Sequence, residues 1–154
     1  MARSEFAFHH RFRVRWSETD AQGVVFNARY LDYADVAVTE YWRAAKFCDY
    51  ADGAPLEFHV KKATVTWFAP IKPDELIDVM ARTVATGRTS MTQIVEIHGI
   101  TEDGSDDLRA TVDLVSVHVD LDTHRPIPLP HWVKDVFLNF DQQAATPAAV
   151  MADA

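Results

Sequence analysis

From residue 10 to 16 the order HRFRVRW alternates Arg11, Arg13 and Arg15 with Phe12, Val14 and Trp16. A period of two predicts a strand buried on one face. SETDAQG follows, a run of turn and cap formers ending in Gly23, and Val24, Val25 and Phe26 then lead to Asn27, which reads as a helix N-cap. Residues 28–46 contain no Gly or Pro, and Leu31, Ala34, Val38, Tyr41, Trp42 and Ala45 recur at three- and four-residue steps. That spacing predicts one long helix with a single apolar face. Ala28, Ala34, Ala37, Ala44 and Ala45 keep it slim enough for a sheet to wrap closely around it. Gly53 and Pro55, in DYADGAP, are expected to terminate it.

Residues 57–68, 76–86, 89–101 and 108–121 read as four further strands, separated by APIKPDE, the tight Gly87-Arg88 turn and EDGSDD. These connections are too short for crossover helices, so the sheet is expected to be antiparallel. After PIPLP, residues 131–140 form a short amphipathic segment with Pro130 near its first turn, which predicts a closing helix. The expected organisation is one α+β domain over residues 1–141, with one long helix against a curled five-stranded sheet, and a disordered Ala-rich tail over 142–154. Such a sheet leaves an edge strand unpaired, and a second copy is the natural partner for it.

Composition narrows the function classes. The 154 residues suit one domain with a sizeable core, at 48% hydrophobic and 25% charged. No stretch approaches the roughly 20 apolar residues of a membrane span, and the N-terminus lacks a secretory pattern, so a cytoplasmic protein is expected. The single cysteine, Cys48, excludes an internal disulfide or a multi-thiolate metal site. A formal charge of -8 argues against nucleic acid as partner. The seven histidines show no HExxH or Cys/His grouping, so no metal is expected.

The stretch from Trp16 to Arg43 carries the chemistry. Asp20 stands three residues before Gly23, and the first amides of the following helix are expected to face the space that this loop encloses. A carbonyl placed there could accept a hydrogen bond from the amide at Asn27, aided by the helix dipole, while Asp20 attacked it or activated a water. Thioester hydrolysis needs those parts, because a thiolate leaves readily without strong acid help. Spacing alone leaves the blander reading, a turn-capping aspartate, fully open.

TDAQGVVFNARYLDYAD resembles the signature of the 4-hydroxybenzoyl-CoA thioesterase family of hot-dog proteins, in which an aspartate, two residues, a glycine and a Val-Val/Ile-aromatic run precede the central helix. FAPIKPDELIDV and TGRTSMTQIVEI are similar to later segments of that family. The resemblance implies a hot-dog fold, a five-stranded antiparallel sheet around one central helix, and hydrolysis of a small or medium acyl-CoA, aromatic acyl groups included. It implies Asp20 as nucleophile or general base, the Asn27 amide polarising the carbonyl, and Gly23 permitting the tight loop. Phe26 and Tyr30 would shape the acyl end, Arg88 and Thr89 would approach the CoA phosphates or pantetheine, Ser90 the region beside the acyl group, and Thr64 would complete the substrate site. It implies no cofactor beyond the coenzyme A of the substrate, and a homodimer or homotetramer with its pocket at a subunit interface.

Other residues have plainer readings. Glu40 is expected to pair with Arg43 on the helix surface, Glu18 to be solvated, Cys48 to be a small buried hydrophobe, and His98 and His118 to lie on polar or interface faces. Lys61 and Lys62, adjacent on a strand, should point to opposite faces. The alternatives to hydrolysis are a hot-dog dehydratase or hydratase, which would need a histidine near the helix entry where Val24, Val25 and Phe26 stand, and a non-catalytic acyl-CoA-binding module.

Overall fold

The computed structural model describes residues 2–51 and 56–144. Five strands, β1 (Phe8–Arg13), β2 (Glu57–Trp67), β3 (Leu76–Thr86), β4 (Ser90–Gly99) and β5 (Leu108–Val119), form one antiparallel sheet in the order β1-β3-β4-β5-β2. Helix α1 (Arg29–Ala44) lies along the concave face; α2 (Phe47–Ala51) follows it, and α3 (His131–Asp141) closes the end of the core near α2. The α+β architecture matches the expected five-stranded sheet around one long helix.

The apolar periodicity explains this packing. Tyr30, Tyr33, Ala34, Ala37 and Tyr41 form the buried face of α1, and small Ala34 and Ala37 let the helix approach Val79, Ala81, Val95 and Val112 of the sheet. Lys46 adopts a left-handed φ of 57° and ends the helical run two residues before the expected boundary, turning the chain into α2. Gly53 and Pro55 lie outside the described residues, as does most of the tail expected to be disordered; Gln142 to Ala144 only complete the end of α3.

Two local expectations are corrected. The first strand stops at Arg13, and Trp16 enters a 3-10 turn (Trp16–Glu18) with its side chain 73% exposed. On that strand Arg11 pairs with Asp78 on β3, and Arg13 donates to the Asp74 carbonyl. The helix begins at Arg29, and Asn27 is not its cap. The Arg29 amide bonds to the Phe26 carbonyl, so a backbone turn does what the Asn27 side chain was expected to do.

The edge strand β2 carries a bulge between Val60 and Lys62, where Lys61 is the extra residue opposite β5. The strict alternation expected for Lys61 and Lys62 is broken there. The bulge keeps Phe58 and Val60 before it, and Ala63 and Val65 after it, on the side facing α1. On the opposite, convex face the 3-10 turn Arg3–Glu5 crosses the sheet, Arg3 pairs with Asp78, and Phe6 is buried beneath the Arg82 guanidinium.

Candidate active site

The loop from Glu18 to Phe26 is a tight hairpin. The Asp20 amide donates to the Val24 carbonyl at 2.9 Å, the Phe26 amide to the Glu18 carbonyl at 3.0 Å, and the Gly23 amide to the Asp20 carbonyl at 3.0 Å. Ala21 and Gln22 make the turn, and Gly23, at φ 75°, takes the left-handed position that returns the chain to Val24. Asp20 occupies the first turn position, and its Oδ1 accepts the Gln22 amide at 2.8 Å. Turn capping is therefore real, but it engages only one carboxylate oxygen. Among the described residues Oδ2 accepts no hydrogen bond, and the Asn27 amide, next along the chain from this ladder, has no acceptor.

Two elements hold the hairpin. On one side the Glu18 carboxylate, expected to be solvated, accepts the Arg15 amide at 2.8 Å and the Tyr33 hydroxyl at 3.1 Å. Burial and then the Glu18 charge push the Tyr33 hydroxyl well above its usual pKa, so it stays a donor. On the other side the Val25 amide donates to the carbonyl of fully buried Ile71 at 2.8 Å. Tyr30, 2% exposed, stacks edge-on against Trp67 at 5.9 Å; burial raises its pKa, and Asp20, Arg109 and Glu75 are near enough to influence it.

A groove of about 740 Å³ begins at Leu31, one turn beyond Asn27. It runs between the Leu31, Val38 and Trp42 side of α1 and the inner face of β2, past Phe58, Val60 and Ala63. Phe26 and Trp67, both about half exposed, stand at the end where the hairpin lies. Thr64 sits between Ala63 and Val65 and projects from the other face of β2.

Arg88, Thr89 and Ser90 lie at the turn joining β3 to β4, closed by the Gly87 amide donating to the Ser90 carbonyl at 2.7 Å. The Asp20 hairpin is tied instead to Ile71, just before β3 begins. The 11 residues of β3 separate the two ends, on the order of 30 Å. One chain therefore brings Asp20, Gly23, Phe26, Asn27 and Tyr30 together, but not Arg88, Thr89 and Ser90.

Other candidates fall away from this site. Glu40 pairs with Arg43 as expected. Cys48 is exposed, because α2 turns it toward the groove and away from the core. His98 and His118 are buried, contrary to expectation, because each finds a polar partner: His98 bonds Glu96 at 2.8 Å and accepts the Asp107 amide, and His118 bonds the Pro128 carbonyl. No group of three or more His, Cys, Asp or Glu among the described residues is placed to hold a metal ion. Sequence reasoning missed Ile71 and Arg109; an apolar residue set in the PIKP loop was the one local signal for Ile71.

Comparison with known proteins identifies the family and the fold. Residues 14–137 match the model of the thioesterase-like superfamily. The acyl-CoA thioesterase YbgC of Haemophilus influenzae is 31% identical over 135 residues, covering 81% of this chain and 90% of its own. The acyl-CoA thioester hydrolase YbgC of Escherichia coli is 34% identical over 80 residues, which span only 60% of its length. Among solved structures, a Thermus thermophilus thioesterase complexed with coenzyme A and zinc superimposes with a TM-score of 0.73 at 26% identity, over 90% of this chain and 97% of its own. A 4-hydroxybenzoyl-CoA thioesterase variant complexed with 4-hydroxybenzoyl-CoA shares the fold, with a TM-score of 0.71 at 14% identity over 90% of this chain and 98% of its own. With the matched region running from the end of β1 to α3 and enclosing the Asp20 hairpin, the chain belongs to the thioesterase-like superfamily of hot-dog proteins.

Proposed function

We propose that the protein hydrolyses an acyl-CoA thioester to the free acid and coenzyme A. One observation carries the reading: Asp20 Oδ2 and the Asn27 amide, seven residues apart across one hairpin, are an acceptor and a donor left without partners among the described residues. The amide polarises the thioester carbonyl. Asp20 either takes a proton from a water that attacks the carbonyl carbon, or attacks it directly to give an anhydride that water then opens. In both routes the C–S bond breaks and the thiol leaves with a proton. The groove beside Leu31, Val38 and Trp42 takes the acyl group, with Phe26 and Tyr30 at its entrance.

The site is completed by a second copy. Strand β2 presents an unpaired edge with Val60, Trp67 and the following Phe68 exposed. Antiparallel pairing of two such edges about a two-fold axis carries the partner's β3–β4 turn to the end of the sheet where Asp20 lies. Arg88 of the second copy then meets the CoA phosphates, with Thr89 and Ser90 beside the pantetheine. Thr64 sits on the strand that pairs, and acts there or through the face away from the groove. The reading needs no cofactor beyond the coenzyme A of the substrate, and it carries a cytoplasmic location.

The test is Asp20→Asn, which keeps size and removes charge. Thiol release from acyl-CoA should fall at least ~10²-fold without loss of the folded state. Near-normal turnover would exclude the mechanism. Thiol release by the unaltered chain separates hydrolysis from mere binding.

A further inference from the structure

Arg109 is committed through all three guanidinium nitrogens and its carbonyl, to the loop behind the Asp20 hairpin and to Asp107. Its Nη1 donates to the Pro70 carbonyl at 2.9 Å, its Nη2 to Glu75 at 2.6 Å and to Asp107 at 2.8 Å, and its Nε to Asp107 at 3.1 Å. Its own carbonyl accepts the amides of Phe68 and Ala69. Glu75 passes the hold on, accepting the Lys72 amide through its second oxygen at 2.9 Å. The segment from Phe68 to Glu75 is thus pinned at both ends by one residue of β5.

Gly99 makes the arrangement possible. A β-carbon there would overlap both the Arg109 guanidinium and the Asp107 carboxylate, so only glycine lets β4 pass this close. Between the pinned ends lies Ile71, whose carbonyl holds the Val25 amide at 2.8 Å.

We propose that Arg109 is a positioning residue for the catalytic hairpin, acting through Pro70, Glu75 and Ile71 to fix where Asp20 and the Asn27 amide stand. The inference rests on the reading of Asp20 as the catalytic carboxylate. Arg109 itself touches neither substrate nor reacting atoms. A lysine in its place keeps the charge but offers one nitrogen, which cannot hold Pro70, Glu75 and the two oxygens of Asp107 together. The loop then relaxes, Ile71 moves, and the hairpin loses its register with the helix entry while the fold survives, since the β5 backbone ladder is untouched.

The experiment measures steady-state thiol release and thermal melting for Arg109→Lys, Gly99→Ala, the double variant, Asp20→Asn and Tyr41→Phe, the last destabilising the opposite end of the fold. The expected result is a fall in kcat of ~10-fold or more for Arg109→Lys with KM changed less than ~3-fold, a similar fall for Gly99→Ala, and a double variant no worse than Arg109→Lys, because both break one device. Tyr41→Phe, matched or exceeding them in lost melting temperature, should keep its kcat. If Asp20→Asn is inactive while Arg109→Lys turns over normally, or if kcat tracks melting temperature in all variants, the positioning role is overturned and the Asp20 reading stands. If Asp20→Asn stays active, the Asp20 reading falls, and the positioning role falls with it.

Discussion

Tyr41 and Asp141 meet from α1 and α3, with the phenol hydroxyl 2.9 Å from each carboxylate oxygen. Thr83 joins them through its amide and hydroxyl, Gln93 bonds Thr83, and Trp42 bonds Gln93, so one polar network ties both helices to the middle of the sheet. It lies toward the far end of α1 from Asp20. Burial raises the pKa of Asp141 above its ordinary 3.8, against the hydrogen bonds from Thr83 and Tyr41.

Tyr41→Phe removes the hydroxyl and leaves a buried carboxylate short of a donor. We expect a loss of about 1–3 kcal/mol in chemical denaturation, with thiol release per folded molecule unchanged.

Acid sensitivity should trace to Asp78. Burial pushes its pKa up, but hydrogen bonds from Arg11 and Arg3 outweigh that and hold it below 3.8. A carboxyl depressed on folding adds stability that is complete above its unfolded value and is lost as pH falls through the folded one. Melting temperature should therefore drop on acidification below 3.8, and Asp78→Asn should lie below the parent at neutral pH and show a shallower acid limb.

Asn27 separates backbone from side chain. Asn27→Ala keeps the amide and should retain thiol release within a few-fold. Asn27→Pro removes that N–H, while also fixing φ and restricting Phe26, and should cost ~10²-fold or more in kcat with the melting temperature retained.

Shared sites leave a mixing signature. Asp20→Asn and Arg88→Ala chains, each poorly active alone, should regain activity when co-refolded, because one pocket of the mixed pair then holds Asp20 from one copy and Arg88 from the other. Activity equal to the average of the two pure variants would place both residues in one chain's pocket instead.

Periodicity made the frame legible: β3 spans the expected residues, and the α1 stripe caught Ala34, Tyr41 and Ala45 of the buried face, but it included Leu31, which is exposed, and missed Tyr30, Tyr33 and Ala37, because the groove beside β2 leaves part of the apolar stripe uncovered. The hairpin was legible through Gly23, whose positive φ is a local demand. Less was visible where partners come from afar. Glu18 looked solvated because Tyr33, which bonds it, is 15 residues away; His98, expected on a polar or interface face, is buried because Glu96 beside it on β4 and the Asp107 amide satisfy it there. Arg109 had no local mark at all, since its meaning lies in a loop 34 to 39 residues earlier.

The bulge at Lys61 has a consequence for the family of chains that could replace this one. Beyond it, the inward apolar set of β2 stays in phase because the bulge takes up one extra residue. Straightening the bulge with Lys61 kept would turn the distal half of the strand over, setting Thr64 and Thr66 toward the helix and Ala63, Val65 and Trp67 outward. Deleting Lys61 would instead leave plain alternation with the same residues inward, so the strand accepts the loss of a residue at this one point, whereas a residue lost between Ala63 and Trp67 inverts every position beyond it.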